Sequence, residues 1–363
     1  MRVTFPHMGN LAITAREVFR GLGLDVVVPP PITKRTLEIG TKYSPEFACL
    51  PLKINLGNYL EAAELGADTI IMAGGVGPCR FGYYAQVQRE ILKDLGYNMD
   101  MVVLEPPDAH FSEVWEKIKS LCRTDWKRAL AGAVLAWRKT RACDVIEQEV
   151  QKMRPLEACP GAADQIYIQA LADIDRATTK EEVRIITRQA KEKLRKIPRQ
   201  RKRPLCRIAV VGEIYTVLEP FVNHHIERRL GRLGVEVKRF LYLSTWINDH
   251  LFGGLLRIKG SKKAKHLASP YLNHFVGGHG RESVGGAVQY ARERVDGVIQ
   301  LAPLTCMPEI VAHSIMPAVS KDYDLPVMTI YLDEQTGEAG LQTRLEAFVD
   351  LVAQKDRRAR SSI

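Results

Sequence analysis

Short apolar runs alternate with helix-patterned stretches at both ends of this 363-residue chain, and that alternation constrains the fold more than any other feature. Residues 2–5, 24–28, 69–73 and 101–104 read as strands. Residues 11–21, 56–65 and 84–95 read as the helices between them, with Asn10 as the N-cap of the first. Near residue 205 the pattern restarts, with strands at 206–211, 235–240, 297–302 and 327–330 and a closing helix over 341–352. Strands separated by helices pair in parallel and need cover on both faces. Between the halves, 112–196 is helical in pattern, and 197–204, with two prolines among basic residues, reads as a linker. The expected architecture is α/β: two Rossmann-like parallel-sheet domains, 1–110 and 205–363, facing a cleft and joined by a mostly helical segment, 111–204. The two halves begin alike, and no short-period repeat is visible.

Apolar residues make up 46% of the chain and charged residues 26%, which suits packed cores and excludes disorder. No apolar run reaches the roughly 18 residues a membrane span needs. No basic-then-apolar leader is visible, so the expected location is cytoplasmic. In that compartment seven cysteines are not a disulfide framework; they are buried fillers or some of them hold a metal. The net charge of +10 is local: residues 176–207 carry 13 Lys/Arg against 3 Asp/Glu, which is the whole excess. A solvated helix and linker accounts for it. A nucleic-acid module would too, but the segment lacks interleaved aromatics, which makes that reading the weaker one. Docking of an acidic partner, or contact with phosphates, is a milder use.

Ligands of parallel sheets bind beyond the carboxyl ends of the strands. There the sequence places Gly74-Gly75-Val76-Gly77-Pro78-Cys79-Arg80-Phe81-Gly82 in the first half and Pro303-Leu304-Thr305-Cys306-Met307-Pro308 in the second. A third cysteine lies in Cys49-Leu50-Pro51-Leu52-Lys53, before a helix. Glycines beside Cys79 would let backbone approach a bulky inorganic ligand, and Arg80 and Lys53 would offset the charge of an anionic thiolate cluster. Lone loop cysteines are usually ordinary small residues, and none of the three sits in a C-x-x-C pair. Cys122, Cys143, Cys159 and Cys206 read as structural or incidental. Glu213 and Tyr215 follow the first strand of the second half, and His7 follows the first strand of the chain. All three are candidates for proton handling, with helix capping the alternative for Glu213. The glycine-rich 277–283 precedes a helix and could cradle a phosphate, or be a flexible loop. His224 and His225 read as adjacent on a helix, where they would not share a face.

These stretches, with Val211-Gly212-Glu213-Ile214-Tyr215, Glu219-Pro220, Asn223 and the closing Arg344-Leu345-Glu346-Ala347-Phe348, resemble the 2-hydroxyacyl-CoA dehydratase component family, including its shorter activase-like and double-cubane cluster relatives. The resemblance implies a [4Fe-4S] cluster, or part of a double-cubane cluster, held by Cys49, Cys79 and Cys306. It implies a separate ATP-dependent activase of the sugar kinase/Hsp70/actin type as electron donor, and a homologous subunit as partner. It also implies a 2-hydroxyacyl-CoA thioester that loses water through a ketyl radical. Double-cubane relatives carry more cysteines than the three found here at strand ends. The alternatives are a non-catalytic electron-transfer or scaffold subunit, or a relative that reduces another small molecule.

Overall fold

The computed structural model describes residues 1–75, 77–104, 111–251 and 261–361. The first lobe runs β1 (Arg2–Thr4), α1 (Leu11–Gly21), β2 (Asp25–Val26), α2 (Lys34–Tyr43), α3 (Leu50–Glu64), β3 (Thr69–Ala73), α4 (Tyr84–Asp94) and β4 (Asp100–Leu104). Its four strands are parallel, in the order β2-β1-β3-β4. A helical layer follows: α5 (Phe111–Leu121), α6 (Trp126–Met153), α7 (Ala162–Arg176) and α8 (Lys180–Arg195). The last lobe runs β5 (Cys206–Gly212), α9 (Ile214–Leu218), α10 (Ile226–Arg232), β6 (Val235–Arg239), α11 (Leu243–Leu251), α12 (Ser261–Ala268), α13 (Gly280–Arg292), β7 (Gly297–Pro303), α14 (Met307–Asp322), β8 (Val327–Leu332) and α15 (Glu338–Ser361). Its sheet, β6-β5-β7-β8, is also all parallel and repeats the order of the first. The expected α/β class with two parallel-sheet lobes is what the chain adopts.

In each sheet the order reverses between the two central strands, β1 and β3 or β5 and β7. That is where a crevice opens at the carboxyl ends. His7, Cys79, Glu213 and Cys306 follow those four strands. The lobes share apolar packing: Met8, Ile32, Leu50 and Ile54 of the first join the core formed by Val217, Leu218, Leu241 and Leu341 of the last.

Several local expectations need correction. Asn10 does not cap α1 through its side chain; its amide donates instead to the Tyr167 hydroxyl of α7, at 2.8 Å. Helix α2 was not expected, and α3 begins at Leu50 rather than 56 because it is buried on all sides and shows no helical period. His224 and His225 are not on a helix. Both adopt left-handed backbone (φ 51° and 55°) on the turn that leads into α10. The boundary expected at 110/111 adjoins residues 105–110, which lie outside the described residues, as does Val76 of the Cys79 loop.

The helical layer has its own core around Cys143, Ile146, Val150, Ile174 and Leu194, and α6 crosses α1 where Gly21 meets Gly132. The basic α8 is anchored by a Thr179–Glu182 capping box and buries Val183, Ala190 and Leu194 against this core. Among the described residues, no helix is long and apolar enough to cross a membrane.

Asp144 on α6 is 3% exposed and accepts a bond from the Ser244 backbone N–H at 2.9 Å. Burial raises its carboxyl to about 6. A carboxyl raised on folding contributes stability below its unfolded pKa of 3.8 and loses it as pH rises through about 6. Asp144→Asn is therefore expected to match the parent near pH 4 and to exceed it at pH 8 by up to roughly 3 kcal/mol. Urea unfolding at the two pH values checks this; an equal difference at both would contradict it.

Candidate active site

Cys49, Cys79 and Cys306 each occupy the N-cap position of a helix: α3, a 3-10 turn over Arg80–Tyr83, and α14. All three have extended backbone there (φ/ψ −70/150°, −69/132° and −73/103°). Helix N-termini present unpaired N–H groups and the positive end of the dipole, an environment that favours anions. The prolines after Cys49 and Cys306 fall in the first turns of α3 and α14, where a missing N–H costs nothing. The Phe81 and Glu309 backbones favour the thiolates of Cys79 and Cys306 respectively.

The three loops are joined by hydrogen bonds. The Arg80 guanidinium donates to the Phe47 carbonyl at 2.9 Å, and to both the carbonyl and, at 2.8 Å, the hydroxyl of Thr305. Cys49 and Cys79 lie within electrostatic range of each other, as do Cys49 and Cys306. A second lining comes from the glycine-rich stretch before α13. A Cβ on Gly277 would sit 2.7 Å from the Cys79 backbone nitrogen. One on Gly278 would sit 3.7 Å from the Cys79 sulfur and 3.1 Å from Pro308. Both glycines have positive φ (78° and 46°), which disfavours a side chain at either, and at Gly277 the close backbone of Cys79 excludes one as well. This stretch packs on Cys79 and Pro308. Phe47, Tyr83, Phe275 and Leu304, on or next to these loops in the chain, are exposed.

Burial raises all three thiols. Tyr84 shares a hydrogen bond with the Cys49 sulfur. Glu213 is within electrostatic range of all three cysteines. Its carboxylate also caps α9, accepting from the Tyr215 and Thr216 N–H groups at 3.0 and 2.9 Å, and burial raises it. Glu309 is fully buried, accepts from Ser283 and Gln300 side chains at 2.9 and 2.7 Å, and is raised by burial to about 8. Lys53, one helical turn beyond Cys49, is 3% exposed and paired with Glu334 of the opposite lobe.

His7 lines a neighbouring cavity, and Tyr215 holds its backbone. The His7 ring nitrogen Nδ1 lies 3.2 Å from Glu219, and the Tyr215 hydroxyl donates to the His7 carbonyl at 2.7 Å. Glu219 also accepts from Gly9 and Phe221 N–H groups. The cavity, about 270 Å³, lies where both lobes meet α6 and α7. It is lined by His7, Glu219, Asp144, Tyr167, His225 and Arg228 among others. Of the remaining cysteines, Cys143 and Cys206 are buried, Cys122 donates to the Thr124 carbonyl, and Cys159 is exposed on a turn.

The glycine stretch 277–278, Thr305, Tyr84 and Glu309 were not singled out as partners of the thiols. Only the first carries a sequence signal, its glycine run, and that reads as a phosphate cradle or a flexible loop. Among the described residues, no three His, Cys, Asp or Glu side chains converge on a single ion. Cluster thiolates bind different irons and stand apart around a larger core. An all-thiol donor set, helix N-termini and a glycine lining fit such a core.

Among individually curated proteins, none matches the chain. The family model described as 2-hydroxyglutaryl-CoA dehydratase, D-component, matches residues 12–352. That span takes in all three cysteine loops and every strand except β1, and the chain belongs to this family.

Proposed function

We propose that this chain is an iron–sulfur subunit of a 2-hydroxyacyl-CoA dehydratase. In this reading Cys49, Cys79 and Cys306 hold a [4Fe-4S] cluster, or part of a double-cubane cluster, that receives low-potential electrons from a separate ATP-dependent activase. The observation that carries the reading is that Arg80, beside Cys79, hydrogen-bonds to the loops that lead into Cys49 and Cys306, the three cysteines capping helices of both lobes. When bound, the cluster supplies one-electron reduction of a thioester and, with three cysteines for four irons, one position open to a ligand.

The protein's own residues have separable tasks. Helix N-termini and the Tyr84 hydroxyl offset thiolate charge that burial alone would forbid. Glu309, raised by burial to about 8, can hold a proton beside the Cys306 loop, and burial raises Glu213 as well. Glu219 orients the His7 ring toward a proton-handling role at the cavity, and Tyr215 fixes the His7 backbone. The exposed apolar residues Phe47, Tyr83, Phe275 and Leu304 support closure by a homologous subunit that keeps water out.

Anaerobic reconstitution with ferrous iron and sulfide tests the proposal. The expected product is brown, with about four irons and four sulfides per chain and a paramagnetic signal on reduction. A colourless, iron-free product would overturn it.

A further inference from the structure

We propose that Arg80 is a positioning residue that clasps the Cys49 and Cys306 loops across the cleft and presets the three thiols before any cluster is assembled. The inference rests on the cluster reading of those thiols but assigns Arg80 a task other than charge compensation.

Three observations support it. First, one guanidinium fork serves both loops. Its donors reach Phe47, two residues before Cys49, and Thr305, immediately before Cys306, while the residue itself follows Cys79. Second, the Thr305 hydroxyl also lies 3.3 Å from the Phe47 carbonyl, so the two loops meet directly at the clasp. Third, Thr305 has φ 66°, a left-handed backbone that a β-branched residue adopts only when its surroundings hold it there. The clasp binds Thr305 by both its carbonyl and its hydroxyl. The turn so enforced sets the direction in which Cys306 leaves the strand end.

Charge alone does not account for this arrangement. Arg80 is exposed, so water and salt screen its field, whereas its geometry is unaffected by them. A lysine at this position would keep the charge but could not span two carbonyls in one plane.

The test compares the full-length parent with Arg80→Lys, Arg80→Ala, Thr305→Val and Thr305→Ser after anaerobic reconstitution. The readouts are iron release to a chelator, midpoint potential and paramagnetic line shape. Arg80→Lys, Arg80→Ala and Thr305→Val are expected to lose iron at least about tenfold faster, with an altered line shape, while Thr305→Ser stays within about twofold of the parent. A lysine variant that matches the parent, or a valine variant that matches the serine one, would overturn the clasp. If the parent itself takes up no iron, the cluster reading fails, and maleimide labelling of the metal-free proteins decides the clasp separately. Faster labelling of Cys49 and Cys306 in Arg80→Lys would support it, and unchanged labelling would overturn it.

Discussion

Cys79→Ser is expected to abolish retention of iron and sulfide, taking a reconstituted chain from about four irons to fewer than one. The same loss is expected for Cys49→Ser and Cys306→Ser. A serine oxygen stays protonated where a thiol can give up its proton, and it is a hard donor where the cluster wants a soft one. The first lobe contributes Cys49 and Cys79 and the last Cys306, so in the proposed cluster loss of any one removes a ligand that no other cysteine of these loops replaces. The change is nearly isosteric, and an apo protein with an unchanged melting temperature would separate ligand loss from misfolding. Cys122→Ser supplies the contrast. That thiol follows α5 and bonds the Thr124 carbonyl, so its variant is expected to keep a full complement of iron. Retention of iron in all three site variants would defeat the assignment of ligands.

Gly57→Ala is expected to be among the most damaging methyl groups that can be added to the first lobe, costing about 3 kcal/mol or more. An added Cβ would lie 2.0 Å from the Thr36 carbonyl oxygen of α2, and one on Gly40 would lie 1.9 Å from the Lys53 carbonyl oxygen of α3. The two helices touch backbone to backbone, so relief requires moving a whole helix rather than one side chain. Alanine's better helix propensity returns only about 1 kcal/mol. Helix α3 carries Cys49 at its first turn and the Lys53–Glu334 pair one turn on, so its displacement disturbs both the thiol and a bridge between lobes. Chemical denaturation of Gly57→Ala beside Gly337→Ala, whose added methyl meets nothing within 4 Å, checks the mechanism. Equal midpoints for the two variants would contradict it.

The difficulty of reading α2 and α3 has the same origin as this sensitivity. Residues 50–62 are buried in succession, so the sequence shows no polar stripe from which to count turns. The left-handed turn at His224 and His225 was equally hidden, since positive φ is uncommon even for histidine and no glycine marks the turn. Glu213 is a helix cap that also lies within electrostatic range of the thiols, so the two readings of its sequence context are not exclusive.

By itself, the sequence determined the strands, their parallel pairing, the likeness of the two halves and the placement of Cys79 and Cys306 at strand ends. Hydrophobic periodicity and glycine or proline punctuation are local signals, spanning a few residues. Only the tertiary structure decided that Arg80 joins Phe47 to Thr305, that Lys53 pairs with Glu334, and that Gly277 packs on Cys79. Those partners are separated by between 33 and 281 residues. Their meeting depends on how two twisted sheets face each other, and no short stretch of sequence encodes that geometry.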